Sequence, residues 1–186
     1  MKNGITEQSI LLFEKKGFSH TSIQDIVNQL GVTKGTFYYY FSSKEQLLME
    51  IHHEYITNLL EGQSRVINNG SLTSKQKLAK IIGLLINDVA TNGPSARVYF
   101  REVRHLAEEN IKYVKEKREQ FRLNVEKIVR EGMNKGEFKH DLKVDMITFG
   151  ILGVTNWTYS WYKPNGEVSS DELVKIYVDM ILNGIQ

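Results

Sequence analysis

Between Thr21 and Lys44 the chain is crowded with hydrogen-bond donors of a kind suited to a polyanion. Thr21, Thr33, Tyr39 and Lys44 carry hydroxyl and ammonium groups that can reach phosphate oxygens, and Gly35 permits close approach of a nucleic-acid backbone. Thr36 and Tyr38 have the reach and chemistry to touch base edges or thymine methyl groups. Three successive tyrosines, Tyr38, Tyr39 and Tyr40, on one short helix call for a partner, because such a surface is rarely left bare. The alternative is a plain helical corner that happens to expose tyrosines.

A second constellation lies further along. Arg97, Arg101 and Arg104 recur at i, i+4 and i+7, which places them on one helical face, and Arg118 and Arg122 extend the positive character. The planar guanidinium fork suits phosphate recognition. Tyr99, Phe100, Phe121, Phe149 and Trp157 could then line an apolar tunnel behind this basic mouth. Acidic neighbours such as Glu102, Glu116 and Glu119 leave open a bland reading, a solvated and salt-bridged surface.

Catalytic chemistry is poorly provided for. The five histidines, His20, His52, His53, His105 and His140, fall in no catalytic signature, and the adjacent pair His52 and His53 cannot share a helical face as an i, i+4 metal pair would. There is no cysteine and no phosphate-cradling glycine loop. No enzyme, metal site or cofactor is expected.

The elements that must position these groups are helices. Only two prolines occur, Pro94 and Pro164, each beside an Asn-Gly pair, and no stretch alternates strictly enough for a strand. The period predicts an all-α fold of about nine helices, near 3–16, 22–30, 34–40, 43–68, 74–91, 95–107, 109–135, 143–162 and 169–184. Thr21 with Gln24, and Ser42 with Glu45, have capping-box spacing for the second and fourth helices, and Thr33 can cap the third. Ile23, Ile26, Val27 and Leu30 form one buried stripe, Gly31 ends that helix, and Phe37 and Phe41 anchor the inner face of the next. Two short helices joined by a tight glycine turn make the unit that lays its second helix in the major groove of DNA.

The expected organisation is a helix-turn-helix domain over 1–46, joined within the fourth helix to a ligand-binding and dimerisation domain over 47–186. A short recognition helix buries little surface, so a symmetric homodimer meeting two half-sites is expected. Gly150, Gly153 and Trp157 in the eighth helix and Ile176, Met180 and Ile181 in the ninth offer a seam, unless they simply close the monomer's own core. Hydrophobic residues make up 41% of the chain, enough for a substantial core, while the formal net charge of +2 is too mild to announce a nucleic-acid binder by itself. No run approaches the roughly 20 apolar residues of a membrane span, and a cytoplasmic protein without a membrane partner is expected.

The stretch GFSHTSIQDIVNQLGVTKGTFYYYFSSKEQLL resembles the DNA-binding head of the TetR family nearly throughout: Gly17-Phe18, Thr21, Ile26, Leu30-Gly31-Val32, Lys34-Gly35, Tyr38 to Phe41, and Lys44-Glu45. Val27 stands where that family usually has alanine. The resemblance implies backbone contacts from Thr33, Lys34, Gly35, Tyr39 and Lys44, with Thr36 and Tyr38 nearer the bases, and dimerisation through a four-helix bundle of the last two helices. The stretch GVTNWTYSWYKPNG, with the helix after it, is similar to the acyl-CoA-responsive, FadR-type branch. The expected function is therefore a repressor that binds double-stranded operator DNA as a dimer and is released by an acyl-CoA thioester. A drug-efflux repressor sensing a cationic or aromatic compound is the alternative. Such a pocket favours buried acids, and 81–86 and 147–157 contain no Asp or Glu.

Overall fold

The computed structural model describes residues 1–185. Among them are nine α-helices, one 3-10 turn and no strand: α1 (Lys2–Lys16), α2 (Ile23–Leu30), α3 (Lys34–Tyr40), α4 (Lys44–Ile67), α5 (Ser74–Thr91), α6 (Gly93–Arg101), the turn Val103–His105, α7 (Glu108–Asn134), α8 (Val144–Trp161) and α9 (Ser170–Ile185). The all-α expectation holds. No helix is long and apolar enough to cross a membrane, and no described cluster of His, Asp or Glu could hold a metal ion.

The helix expected over 95–107 is corrected. It breaks after Arg101, and His105 N–H to Glu102 O (3.0 Å) and Leu106 N–H to Val103 O (3.2 Å) replace the α-helical pattern. At the break the buried Glu102 carboxylate turns to the Phe18 N–H (3.4 Å) and to His105 Nε2 (3.4 Å). Helical periodicity carries no information about a partner 84 residues away.

The chain forms two compact units, one of residues 1–57 with 94–115 and one of 58–93 with the chain from 116 onward. In the first, Ile5, Phe13, Ile26, Val27, Phe37, Phe41, Leu47 and Leu48 are fully buried. Both capping-box assignments shift by one residue, while Thr33 caps α3 as expected. Ser22, not Thr21, caps α2: its hydroxyl accepts from Asp25 N–H (3.1 Å), and the Asp25 carboxylate accepts in return from Ser22 N–H (2.8 Å). Ser43, not Ser42, accepts from Gln46 N–H (3.0 Å) at the start of α4. A serine precedes or follows the expected cap in each case, so spacing alone did not separate the two registers. Gly31 ends α2 in the left-handed region (φ 66°), and Val32 N–H reaches back to Val27 O (3.1 Å).

In the second unit α5 packs against α8 and α9, burying Leu78, Ile81, Ile82 and Ile86. Thr73 and Gln76 form a capping box at the start of α5, and Glu137 adds its carboxylate to the Ser74 (3.1 Å) and Lys75 (2.9 Å) N–H groups. Burial pushes the Glu137 carboxyl up, but the Lys75 and Ser74 hydrogen bonds outweigh it and hold the group below its ordinary range. The turn that delivers Glu137 runs across Gly132, where an added Cβ would collide with the Phe138 ring. Gly132→Ala is therefore expected to destabilise the chain by about 1–3 kcal/mol, although alanine is the better helix former. Thermal denaturation checks this, and a raised Tm would refute the packing argument.

Candidate functional site

α3 is a seven-residue helix whose inner side is a single buried residue, Phe37. Phe37 packs on Phe41 (ring centroids 5.6 Å apart), and the other residues of the helix are exposed or, for Thr36 and Tyr40, half-buried. Thr33 starts it, accepting from Thr36 N–H at 3.3 Å, and the two threonine hydroxyls lie 3.3 Å apart. Thr33, Lys34 and Gly35 are exposed and Thr36 is half-buried. Tyr38 is 54% and Tyr39 80% exposed. Gly35 has no positive φ, and a Cβ there would meet only Thr33 Oγ1 at an ordinary 3.5 Å. Nothing in the chain itself requires glycine at that position, although glycine is disfavoured within a helix. Thr33, Lys34, Gly35, Thr36, Tyr38 and Tyr39 thus lie together on one short, capped, outward-facing element.

Two expected donors are corrected. Thr21 is only 1% exposed, and its hydroxyl donates to Gly17 O at 2.9 Å, stitching the α1–α2 turn. Lys44 directs its ammonium inward, donating to Phe18 O (2.7 Å) and Thr21 O (2.6 Å) and lying 4.2 Å from the Phe18 ring centroid. Burial pulls this ammonium below its ordinary range, with the Asp25 carboxylate opposing. At the first residue of a helix a lysine reads as a surface charge; the Phe18 and Thr21 carbonyls that attract it are brought to it by the fold.

The basic constellation is not a free arginine mouth. Arg97 pairs with Glu14 at 2.7 Å, and Arg122 is held between Glu119 and Glu126, which raises its pKa chiefly through the Glu119 hydrogen bond. The helical break takes Arg104 out of the α6 face, where its Nε lies 3.3 Å from His105 Nε2, while Arg101 and Arg118 are exposed. Tyr99 is buried among His52 and Tyr55, with Phe100 against it (5.2 Å). Phe121 is buried in the other unit. Phe149 is exposed under Arg122, 5.0 Å from its ring centroid, and Trp157 is 62% exposed, so neither lines the interior.

α8 carries an outward stripe instead: Met146, Phe149, Gly150, Gly153, Trp157 and Trp161 follow one another at helical spacing, all exposed. Ile176 and Met180 are exposed on α9. Ile181 is corrected to the unit's own core, being 8% exposed and one position round the helix from Met180.

Several residues take roles that the sequence did not signal. Glu102 and Glu45 are each buried or half-buried carboxylates, and Glu45 accepts from Ala107 N–H. His52 is fully buried, with Nδ1 2.9 Å from Leu48 O and Nε2 3.2 Å from Tyr99 O. Gln63, also fully buried, donates to Phe121 O (2.9 Å) and accepts from Asn124 (2.7 Å).

A capped recognition helix set by a glycine turn against a second short helix, on a three-helix head, defines a helix-turn-helix protein. Residues 5–51 match the family model of bacterial regulatory proteins, tetR family, and 71–185 match that of the tetracyclin repressor-like C-terminal domain. The chain is 30% identical to the HTH-type transcriptional repressor KstR2 of Rhodococcus jostii, over 94% of this chain and 85% of that one. It is 26% identical to the fatty acid metabolism regulator protein of Bacillus subtilis, over 96% and 94%. Among solved structures, the ketosteroid transcriptional regulator KstR2 of Mycobacterium tuberculosis shares the fold with a TM-score of 0.92 (22% identity; 100% and 94% covered). AibR, solved with isovaleryl coenzyme A and operator DNA, does so with 0.83 (24% identity; 96% of each covered). The chain belongs to the TetR family of DNA-binding transcriptional regulators, which is not an enzyme class.

Removing the Lys44 clamp should weaken the head even without DNA. Lys44→Ala is expected to cost about 1–3 kcal/mol, in line with hydrogen bonds to a charged group. Denaturant titration reads this directly, and unchanged stability would show the ammonium to be free for another partner.

Proposed function

We propose that this protein is a ligand-responsive repressor: a homodimer that holds operator DNA through α3 and releases it when an acyl-CoA thioester binds. The observation that carries the DNA reading is the outward face of α3, with Tyr39 at 80% exposure and an exposed glycine that internal packing does not require. Thr33, Lys34, Gly35 and Tyr39 are assigned to phosphates, and Thr36 and Tyr38 to base edges. The division intended is a DNA-binding domain of 1–46 and a ligand-binding and dimerisation domain of 47–186. α4 contributes residues to both compact units, which supports its use as the link between effector and head. An effector that favours a DNA-incompetent arrangement by ~1–3 kcal/mol would release the operator by population shift.

The dimer seam proposed is the apolar stripe of α8 with Ile176 and Met180 of α9. So many large apolar side chains are rarely left to water in a monomer. The effector class draws support from the relatives, one named a fatty acid metabolism regulator and one solved with isovaleryl coenzyme A and operator DNA. One observation favours the second reading, a cationic compound. Asp88 lies just beyond the apolar run 81–86, and its Oδ2 is sealed from solvent without a donor among the described residues.

Operator DNA enriched from a random pool, titrated with short-, medium- and long-chain acyl-CoA, separates these readings. Release by one chain-length class is expected, and Tyr39→Ala should lose operator binding while staying folded and dimeric. Tight binding that no acyl-CoA disturbs would exclude the thioester, and unaltered binding by Tyr39→Ala would exclude the α3 interface. In sedimentation, Trp157→Glu is expected to convert the dimer to a folded monomer; a persisting dimer would place the seam elsewhere.

A further inference from the structure

The α5–α9 surface holds a groove of about 460 Å³, within the range of small-molecule sites. Its floor is apolar, formed by Gly83 and Leu84 of α5 with Val174 and Val178 of α9. Gly83 is the informative residue. It sits in the interior of α5 without a positive φ, and an added Cβ would meet Val174 Cγ1 at an ordinary 3.7 Å. Neither the backbone nor helix packing demands glycine there, and glycine is a poor helix former. What its missing side chain does is keep the floor open.

The rim is cationic. Lys80 and Lys175 both line the groove and are exposed, and neither forms an ion pair among the described residues. No carboxylate lines it, and Asp179, a turn beyond Lys175, already accepts from Asn183 Nδ2 (2.8 Å). Asn87 adds one amide at the edge. Two ammonium groups on apolar stems over an aliphatic floor complement a molecule with one anionic head and one alkyl tail.

We propose that this groove binds a single-chain alkyl carboxylate, at a site separate from that of the effector. None of the residues that the sequence offered for effector binding lines it. The carboxylate lies between Lys80 and Lys175 and the chain lies along Gly83, Leu84, Val174 and Val178. Decanoate binding stands on this groove alone, and only its separateness from the effector site rests on the thioester reading.

Calorimetric titration of the full-length protein with decanoate below its micellar concentration tests it, with decyltrimethylammonium as the cationic control. Saturable binding of decanoate, with one site per chain, is expected. The double variant Lys80→Glu/Lys175→Glu changes only exposed side chains and should weaken it at least tenfold. Gly83→Met, which fills the floor, should do the same, and circular dichroism of both variants should match the parent. Operator release by acyl-CoA should be retained in both. Absence of saturable decanoate binding, equal binding by the variants, or equal binding of the cationic control would each overturn the proposal. Loss of acyl-CoA release together with decanoate binding would also overturn it, because the two sites would then be one.

Discussion

One ammonium group lies under the helix-turn-helix of this protein. Lys44 Nζ sits on the carbonyls of Phe18 and Thr21, the two ends of the turn between α1 and α2. Phe18 O also accepts from Thr21 N–H (3.2 Å), and the ammonium supplies the donor for Thr21 O. Holding both carbonyls from the first residue of α4 fixes where α4 begins relative to α2. The direction of α3 follows, since Gly31 in its left-handed conformation leaves only the short Val32–Thr33 connection between α2 and α3. The exposed tyrosines owe their presentation to a lysine that points the other way.

Phe18 is the point at which a later stretch of chain joins this arrangement. Its ring lies between the Lys44 ammonium and the stacked His105 ring (5.4 Å), and its N–H faces the Glu102 carboxylate. Arg97 with Glu14 and Ala107 N–H with Glu45 add two more polar ties between residues 94–115 and the first helices. The 3.4 Å contacts of Glu102 are long and individually weak. Their value is collective, because together they tie three elements through part-buried groups. The first compact unit is therefore built from two stretches of the chain, 1–57 and 94–115.

The other unit is organised around apolar surface. Its interior closes over Leu78, Ile81, Ile82, Ile86, Val125, Ile128 and Val129, while Met146, Phe149, Trp157 and Trp161 remain outside. Both sets fall at helical spacing, so periodicity identifies them as helical faces and stops there. Which face is inward depends on the neighbour it meets. Ile181 and Met180 make the point, since adjacent residues of similar character end in opposite environments.

What the amino-acid sequence determined alone is whatever depends on near neighbours along the chain. The helical elements, the Thr33 cap, the Gly31 stop, the Phe37 and Phe41 anchors and the recognisable head all rest on interactions spanning a few residues, and all were legible. The choice between adjacent hydroxyl residues as caps was not, because both satisfy the local spacing and only packing selects one. Tertiary structure decided the roles of polar and charged groups. It turned Thr21 and Lys44 inward, paired Arg97 and Arg122 with glutamates, and broke a helix at Glu102. The physical reason is common to all of them: a long or polar side chain takes the partner that folding brings within about 3 Å, and that partner can lie far away in sequence.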